Sequence, residues 1–215
     1  MERNLLNFDV AVVFDDHQLF STSFSMLLER MGIFSAVYTF TSETDVRSFF
    51  IQTTFRHVCF FLDYYIPGCN SLFLVSDIRR YCPGTRIVIV TSVTNPVVLK
   101  QALLYKVDGF ISKIDDADEV VNGLRAISAQ KVFFSRTITC ILETEPDTNI
   151  AFSPRELEVL KCFSNTHTVE QIADRLNISK HTVLTHKKNL LAKSGFHTVR
   201  ELVAYGLKSG LITSD

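Results

Sequence analysis

The stretch Val58-Cys59-Phe60-Phe61-Leu62-Asp63 constrains this chain more than any other: five apolar residues in a row, one carboxylate, then the turn-forming run Tyr64-Tyr65-Ile66-Pro67-Gly68. An unbroken apolar run of this length, bounded by turn residues, is the pattern of a strand buried on both faces, as in the middle of a parallel sheet. Its last side chain is an acid. Ligands of open α/β sheets bind just beyond the carboxyl ends of the strands, so Asp63 is either aimed at a site or caps the next loop. This stretch alone leaves both open.

The rest of the first half supplies the sheet. Val10-Ala11-Val12-Val13-Phe14 is a second buried-strand run and ends on Asp15-Asp16. Leu19, Phe20, Phe24, Leu27, Leu28 and Met31 then recur at helical spacing, with Gly32 as the stop. A short strand is expected around Val37, and Ser42 with Asp45 resembles a weak capping box for the next helix. After the opening strand come a helix over 71–81 and a Cys82-Pro83-Gly84 break. Ile87-Val88-Ile89-Val90 is a strand ending on Thr91-Ser92, and Pro96 suits the first turn of a helix. Gly109-Phe110-Ile111-Ser112 is a fifth strand ending on Lys113, and Asp116 starts a helix through Ile127.

Five strands alternating with five helices predict an α/β doubly wound, five-stranded parallel sheet of flavodoxin-like type. In the common order 2-1-3-4-5 the first and third strands are neighbours. Asp15, Asp16 and Asp63 then share one crevice. Three converging carboxylates repel unless a cation joins them, and a hard oxygen-liganded ion such as Mg²⁺ suits them. Thr91 and Lys113 arrive at the same edge. A metal, a carboxylate nucleophile, a hydroxyl and a lysine suit phosphoryl transfer, where catalysis is mostly positioning and charge neutralisation. No glycine-rich phosphate loop is present, so no bound nucleotide is expected.

Charge separates the halves. The formal net charge of −1 combines +3 from residues 151–215, nine Lys and Arg against six Asp and Glu, with −4 from the part before them. That asymmetry suggests two domains with different partners. The 47% hydrophobic and 21% charged content is that of an ordinary globular protein. No apolar run reaches the roughly 20 residues of a membrane span, and Met1-Glu2-Arg3-Asn4-Leu5-Leu6 lacks the features of a signal peptide. The expected location is cytoplasmic. Cys59, Cys69, Cys82, Cys140 and Cys162 are odd in number and have no Cys-x-x-Cys spacing, which argues against both a disulfide framework and a zinc site; small core hydrophobes are expected.

Residues 143–149, rich in polar and helix-breaking types, form the expected domain linker. Beyond it, Ser153-Pro154-Arg155-Glu156 is a helix start with Ser as N-cap, Pro at the first position and Glu at the capping-box position. A short helix over 168–176, a tight turn at Asn177-Ile178, and a longer helix capped by Ser179 and closed by Gly195 form a helix-turn-helix signature. Arg175, Lys180, Lys187, Lys188, Lys193 and Arg200 lie in a span that contains three histidines and no acid. Such a stretch is usually just a solvated face, but Thr182, Thr185, His186, Lys188 and Asn189 on the exposed side of a capped helix favour a polyanion.

Two resemblances follow. Phe14-Asp15-Asp16-His17, Asp63 with Pro67-Gly68 four residues on, Thr91-Ser92, and Gly109-Phe110 with Lys113 resemble the receiver domain of bacterial response regulators. Phe152-Ser153-Pro154-Arg155-Glu156-Leu157-Glu158-Val159-Leu160, Glu170-Gln171-Ile172-Ala173, Ile178-Ser179, Thr182-Val183, His186 and Leu190 resemble the LuxR-type DNA-binding domain. Together they resemble the NarL/FixJ type, with a receiver over 1–129, a linker with a short helix over 130–150, and an all-α four-helix domain over 151–215. The resemblance implies that a histidine kinase phosphorylates Asp63, with Mg²⁺ held by Asp15, Asp16, Asp63 and the backbone carbonyl of Tyr65. It implies that Thr91 and Lys113 contact the phosphoryl oxygens, and that Phe110 is the aromatic switch that turns inward with Thr91. It further implies major-groove binding of double-stranded DNA as a homodimer formed through the helix at 198–209. Leu184, Thr185 and Lys188 fall at base-facing positions; Lys180, Thr182, Lys187, Asn189 and Lys193 suit phosphate contact. No enzyme activity is expected beyond self-phosphorylation and autodephosphorylation. Two other readings stand beside this one: a LuxR-type transcription factor whose receiver is only a dimerisation or interaction module, and a Mg²⁺-dependent phosphatase.

Departures from the pattern lie next to the site. Cys69-Asn70-Ser71 and Phe73 replace more usual residues, Ile114 follows Lys113, and bulky Tyr65 stands two residues past Asp63.

Overall fold

The computed structural model describes residues 8–66, 69–143, 152–165 and 167–212, with 69 and 70 by backbone alone. The Pro67-Gly68 turn, the Cys69 side chain and the linker residues 144–150 lie outside these. The described residues fall into two compact units: everything up to Thr94 together with Lys106–Glu143, and Asn95–Tyr105 together with the chain beyond the linker. No described helix is long and apolar enough to cross a membrane.

In chain order the first unit contains β1 (Val10–Phe14), α1 (Gln18–Met31), β2 (Ala36–Phe40), α2 (Glu43–Gln52), β3 (Val58–Asp63), a hairpin of β4 (Tyr65–Ile66) and β5 (Cys69–Asn70), α3 (Leu72–Tyr81) and β6 (Arg86–Thr91). After α4 (Pro96–Leu103) it resumes with β7 (Gly109–Ser112), α5 (Ala117–Ser128), β8 (Phe133–Phe134) and α6 (Arg136–Glu143). The main sheet is parallel, in the order β2-β1-β3-β6-β7-β8. The expected five strands stand in the expected order. The structure adds β8 beyond β7, so the sheet runs past residue 129.

The central strands β1, β3, β6 and β7 are buried on both faces, which is why they read as apolar runs. Ala11, Val13, Cys59, Phe61, Val88, Val90 and Ile111 pack with Phe24 and Leu28 of α1 and Val120, Leu124 and Ile127 of α5 in one core cluster. The alternate residues Val12, Phe60 and Ile87 share a register row on the other face, where Phe60 meets Phe49 of α2 edge-on. The helix ends follow local chemistry. Gly32 closes α1 in the left-handed region at φ 62°, where only glycine avoids a steric penalty, and the Asp116 side chain accepts from Glu119 N–H at the start of α5. Ser42 stands at the N-cap of α2, but its side chain makes no capping hydrogen bond, so the weak capping box expected there does not form. Cys59, Cys82 and Cys162 are buried as expected; Cys140, on α6, is exposed. An eight-residue helix with one buried position, Ile138, leaves Cys140 on its outer side.

The second unit contains α4, α7 (Pro154–Ser164), α8 (Val169–Arg175), α9 (Lys180–Ser194) and α10 (Val199–Ser209). The Asn95 side chain caps α4, accepting from Val97 N–H. The buried Gln101 carboxamide accepts from Phe152 N–H at 3.0 Å and donates to the carbonyl of the same residue. Ser153 and Glu156 form the full capping box of α7, with equivalents at α8 (Thr168 and Gln171) and α10 (Thr198 and Glu201). Leu157, Leu160, Ile172, Val183, Leu190 and Leu202 are fully buried and make the helical core.

Candidate functional site

Parallel register delivers the acids. Phe14 of β1 is level with Leu62 of β3, so the next residues, Asp15 and Asp63, leave neighbouring strands side by side at the carboxyl edge of the sheet. Both are nearly inaccessible. Ligand atoms of Asp15, Asp16, His17 and Asp63 all lie within 4.8 Å of one another. Lys113, just past the end of β7, projects its Nζ to 2.7 Å from Asp15 Oδ2 and 2.7 Å from Asp63 Oδ2. The ammonium also lies 4.7 Å from the centre of the Phe20 ring, a cation–π arrangement.

The electrostatics follow from burial. Burial pushes the Asp63 carboxyl up to about 6, against the opposing pull of Lys113, and the Asp15 charge adds to the rise. Burial acts to lower the Lys113 pKa, but its bonds to Asp15 and Asp63 outweigh that and raise it. A single ammonium serves several carboxylates. The cluster is therefore left with excess negative charge and with hard oxygen donors, and Asp16 Oδ1 is buried without a hydrogen-bond partner. That donor set fits a metal ion.

Around these groups the structure places the other expected residues. Thr91 ends β6; its hydroxyl accepts from Val93 N–H at 3.0 Å, and its carbonyl accepts from Lys113 N–H at 2.8 Å. Tyr65 enters the β4–β5 hairpin opposite Asn70; its hydroxyl is buried without a hydrogen-bond partner, and burial raises its pKa. Phe110 is only 1% exposed, and its ring lies 5.7 Å from the Phe134 ring at 15°. An exposed aromatic that later turns inward is therefore not what stands in this structure: β8 already covers the ring.

In the helical unit, Asn177 turns the chain between α8 and α9 in the left-handed region, at φ 51°. Asparagine tolerates this conformation better than most residues. Ser179 caps α9 by accepting from Thr182 N–H, and Gly195 ends it at φ 73°. Val183 and Leu190 anchor the helix inward. Leu184, Thr185, Lys188 and Asn189 are exposed along its outer side, and Thr182 and Lys187 are half-buried beside them. Leu184 keeps 49% of its surface accessible. Two of the expected phosphate contacts are already engaged. Lys180 Nζ lies 2.9 Å from Glu170, and Lys193 Nζ lies 2.7 Å from the buried carboxylate of Glu156.

Residues 11–125 match the family described as response regulator receiver domain, and residues 151–205 match bacterial regulatory proteins, luxR family. The chain belongs to the NarL/FixJ-type response regulators. The regulator is 27% identical over 207 residues to the Fimbriae Z protein of Salmonella typhimurium, covering 94% of this chain and 97% of that one. It is 26% identical over 214 residues to the oxygen regulatory protein NreC of Staphylococcus aureus, covering 94% and 98%. Among solved structures it resembles RcsB from Salmonella enterica serovar Typhimurium, bound to promoter P1flhDC in the presence of phosphomimetic BeF3-. That likeness has a TM-score of 0.62 and 25% identity, over 95% of this chain and 100% of that one. The regulator thus carries a receiver and a LuxR-type DNA-binding domain.

Some participants have no role assigned to them by the sequence. His17 joins the acid cluster, with Nδ1 at 3.3 Å from Asp16 and 3.4 Å from Asp15; its adjacency to the acid pair was the available clue. Phe20 belongs to the apolar stripe of α1, and nothing in that stripe marks one ring as the floor under Lys113. The Ser71 hydroxyl donates to the Asp63 carbonyl, a contact that depends on the path of the intervening hairpin.

Proposed function

We propose that the regulator is switched by phosphorylation of Asp63 and, once phosphorylated, binds specific DNA sequences as a homodimer to control transcription. The observation that carries this reading is the partly buried Lys113 ammonium bonded at once to Asp15 and Asp63, at the sheet edge of a chain that also carries a LuxR-type domain. A carboxylate oxygen of Asp63 attacks the phosphorus of a phosphohistidine on a kinase; the new O–P bond forms as the P–N bond breaks, and the imidazole departs. Asp15, Asp16, Asp63 and the Tyr65 carbonyl would hold Mg²⁺, which would supply charge neutralisation for the transferring group. Lys113 exchanges a carboxylate for a phosphoryl oxygen, and Thr91 gives up its bond from Val93 to donate its hydroxyl to another. The added charge of about −1.5 to −2 shifts the receiver between two states. A change of a few kcal/mol in their balance suffices to move most molecules from one to the other. The regulator turns over no free substrate, and its setting is the cytoplasm, where kinase and DNA are both available.

Incubation of the full chain with Mg²⁺ and acetyl phosphate, followed by intact mass measurement, tests this. Wild type is expected to gain one phosphoryl group and Asp63→Ala none. No gain in wild type would leave a phosphate-independent DNA-binding protein, and sustained hydrolysis of a free phosphate ester would make it an enzyme.

A further inference from the structure

We propose that the phosphorylation signal leaves the receiver through Phe134, with β8 and α6 as the moving output element; this rests on phosphorylation of Asp63. Phe110 is sandwiched in register: it pairs with Ile89 of β6 on one side and with Phe134 of β8 on the other. It stacks on the Phe134 ring, and its carbonyl accepts from Ser135 N–H at 2.9 Å.

The segment after it is tied to the same loop that carries Lys113. Ser112 N–H donates to Ser135 Oγ at 3.2 Å and to Asp115 Oδ2 at 3.1 Å. Thr137 Oγ1 donates to the other Asp115 oxygen at 2.5 Å, and Arg136 N–H donates to Glu119 at 2.8 Å. On the opposite face Phe133 sits where a Cβ on Gly123 would lie 2.9 Å from its ring. A two-residue strand held by this many specific contacts is a latch. When Thr91 leaves its bond to Val93, Phe110 gains room on the β6 side and moves off Phe134. The register that fixes β8 is then lost together with the stack, and α6, which leads directly into the interdomain linker, is freed.

Phe134 is thus a positioning residue for output and plays no part in the chemistry. The test is peptide-resolved hydrogen exchange on the full chain, with acetyl phosphate and Mg²⁺ as the probe and intact mass recorded on the same samples. In wild type, phosphorylation is expected to speed exchange over residues 133–139 about fivefold, the scale of one lost aromatic pair. Phe134→Leu, which keeps an apolar side chain without the ring, is expected to take up phosphoryl as wild type does. It exchanges fast over 133–139 before phosphorylation, and phosphorylation produces no further change. Full phosphoryl uptake with unchanged exchange over 133–139 in wild type would overturn the inference, as would a phosphorylation response retained in Phe134→Leu. Absence of phosphoryl uptake in wild type would overturn the Asp63 reading itself.

Discussion

Lys193→Met is the most informative substitution in the helical unit, because it decides whether Lys193 reads DNA or holds the fold. The Glu156 side chain is 4% exposed and that of Lys193 42%. Breaking a fully buried pair costs roughly 3–5 kcal/mol and an exposed one about 0–1 kcal/mol. Here one partner is half in water, and Ser153 N–H still donates to Glu156 at 2.7 Å, so a loss of about 1–2 kcal/mol is expected from those two limits. In a small helical unit this lowers the melting temperature by roughly 5–10 °C, measurable by calorimetry on the full chain. Adding Glu156→Gln should recover part of the loss.

The pH dependence has a definite sign. Burial alone would raise the Glu156 pKa, but Lys193 and Ser153 override it and leave the group lowered. The pair's contribution is therefore complete above the ordinary glutamate value of about 4.3 and is lost as pH falls through the lower folded value. The gap between wild type and Lys193→Met should close over that acid range. On a random-sequence duplex the salt slope should stay unchanged, whereas loss of a phosphate contact lowers it by about 0.9. Unchanged stability together with a reduced slope would refute the structural role.

Other substitutions probe the receiver and the recognition helix. Gly84→Ala places a Cβ 2.5 Å from the Arg56 carbonyl oxygen, and an unfolding titration of the receiver should register a loss of roughly 1–3 kcal/mol. Tyr65, bulky, half-buried and two residues past Asp63, is expected to hinder an attacking water, so the phosphorylated form should outlast a period of seconds. Tyr65→Asn should shorten that lifetime, and equal decay of the two proteins by intact mass would remove the role. Lys188→Ala, at an exposed position on α9, should weaken binding to a selected site more than to random DNA; equal losses on both would assign it to the backbone.

The sequence carried the sheet because burial on both faces forces runs such as Val58–Asp63, and parallel register then converts strand ends into a site. Asp15, Asp63 and Lys113 were legible for that reason, and the caps at Ser153, Asp116 and Ser179 because each is a local hydrogen bond. What was not legible depends on partners distant in sequence. Phe133-Phe134 is too short to signal a strand without the edge of β7 beside it. The state of Phe110 depends on Phe134, and the occupation of Lys193 depends on Glu156, 37 residues away. The Ser42 cap failed where spacing alone suggested it.

The strand β8 also governs how the receiver behaves when separated from the rest of the chain. Among the described residues, the outer row of amide and carbonyl groups of β7 is covered by β8 and by Ser135 just past it, whose N–H donates to the Phe110 carbonyl. A fragment ending at residue 125 or 129 would bare that row beside the apolar Phe110 ring, an open edge of the kind that recruits strands from other molecules. Such a fragment is expected to self-associate through an edge that the intact chain keeps closed, whereas one extended past Ser135 is not.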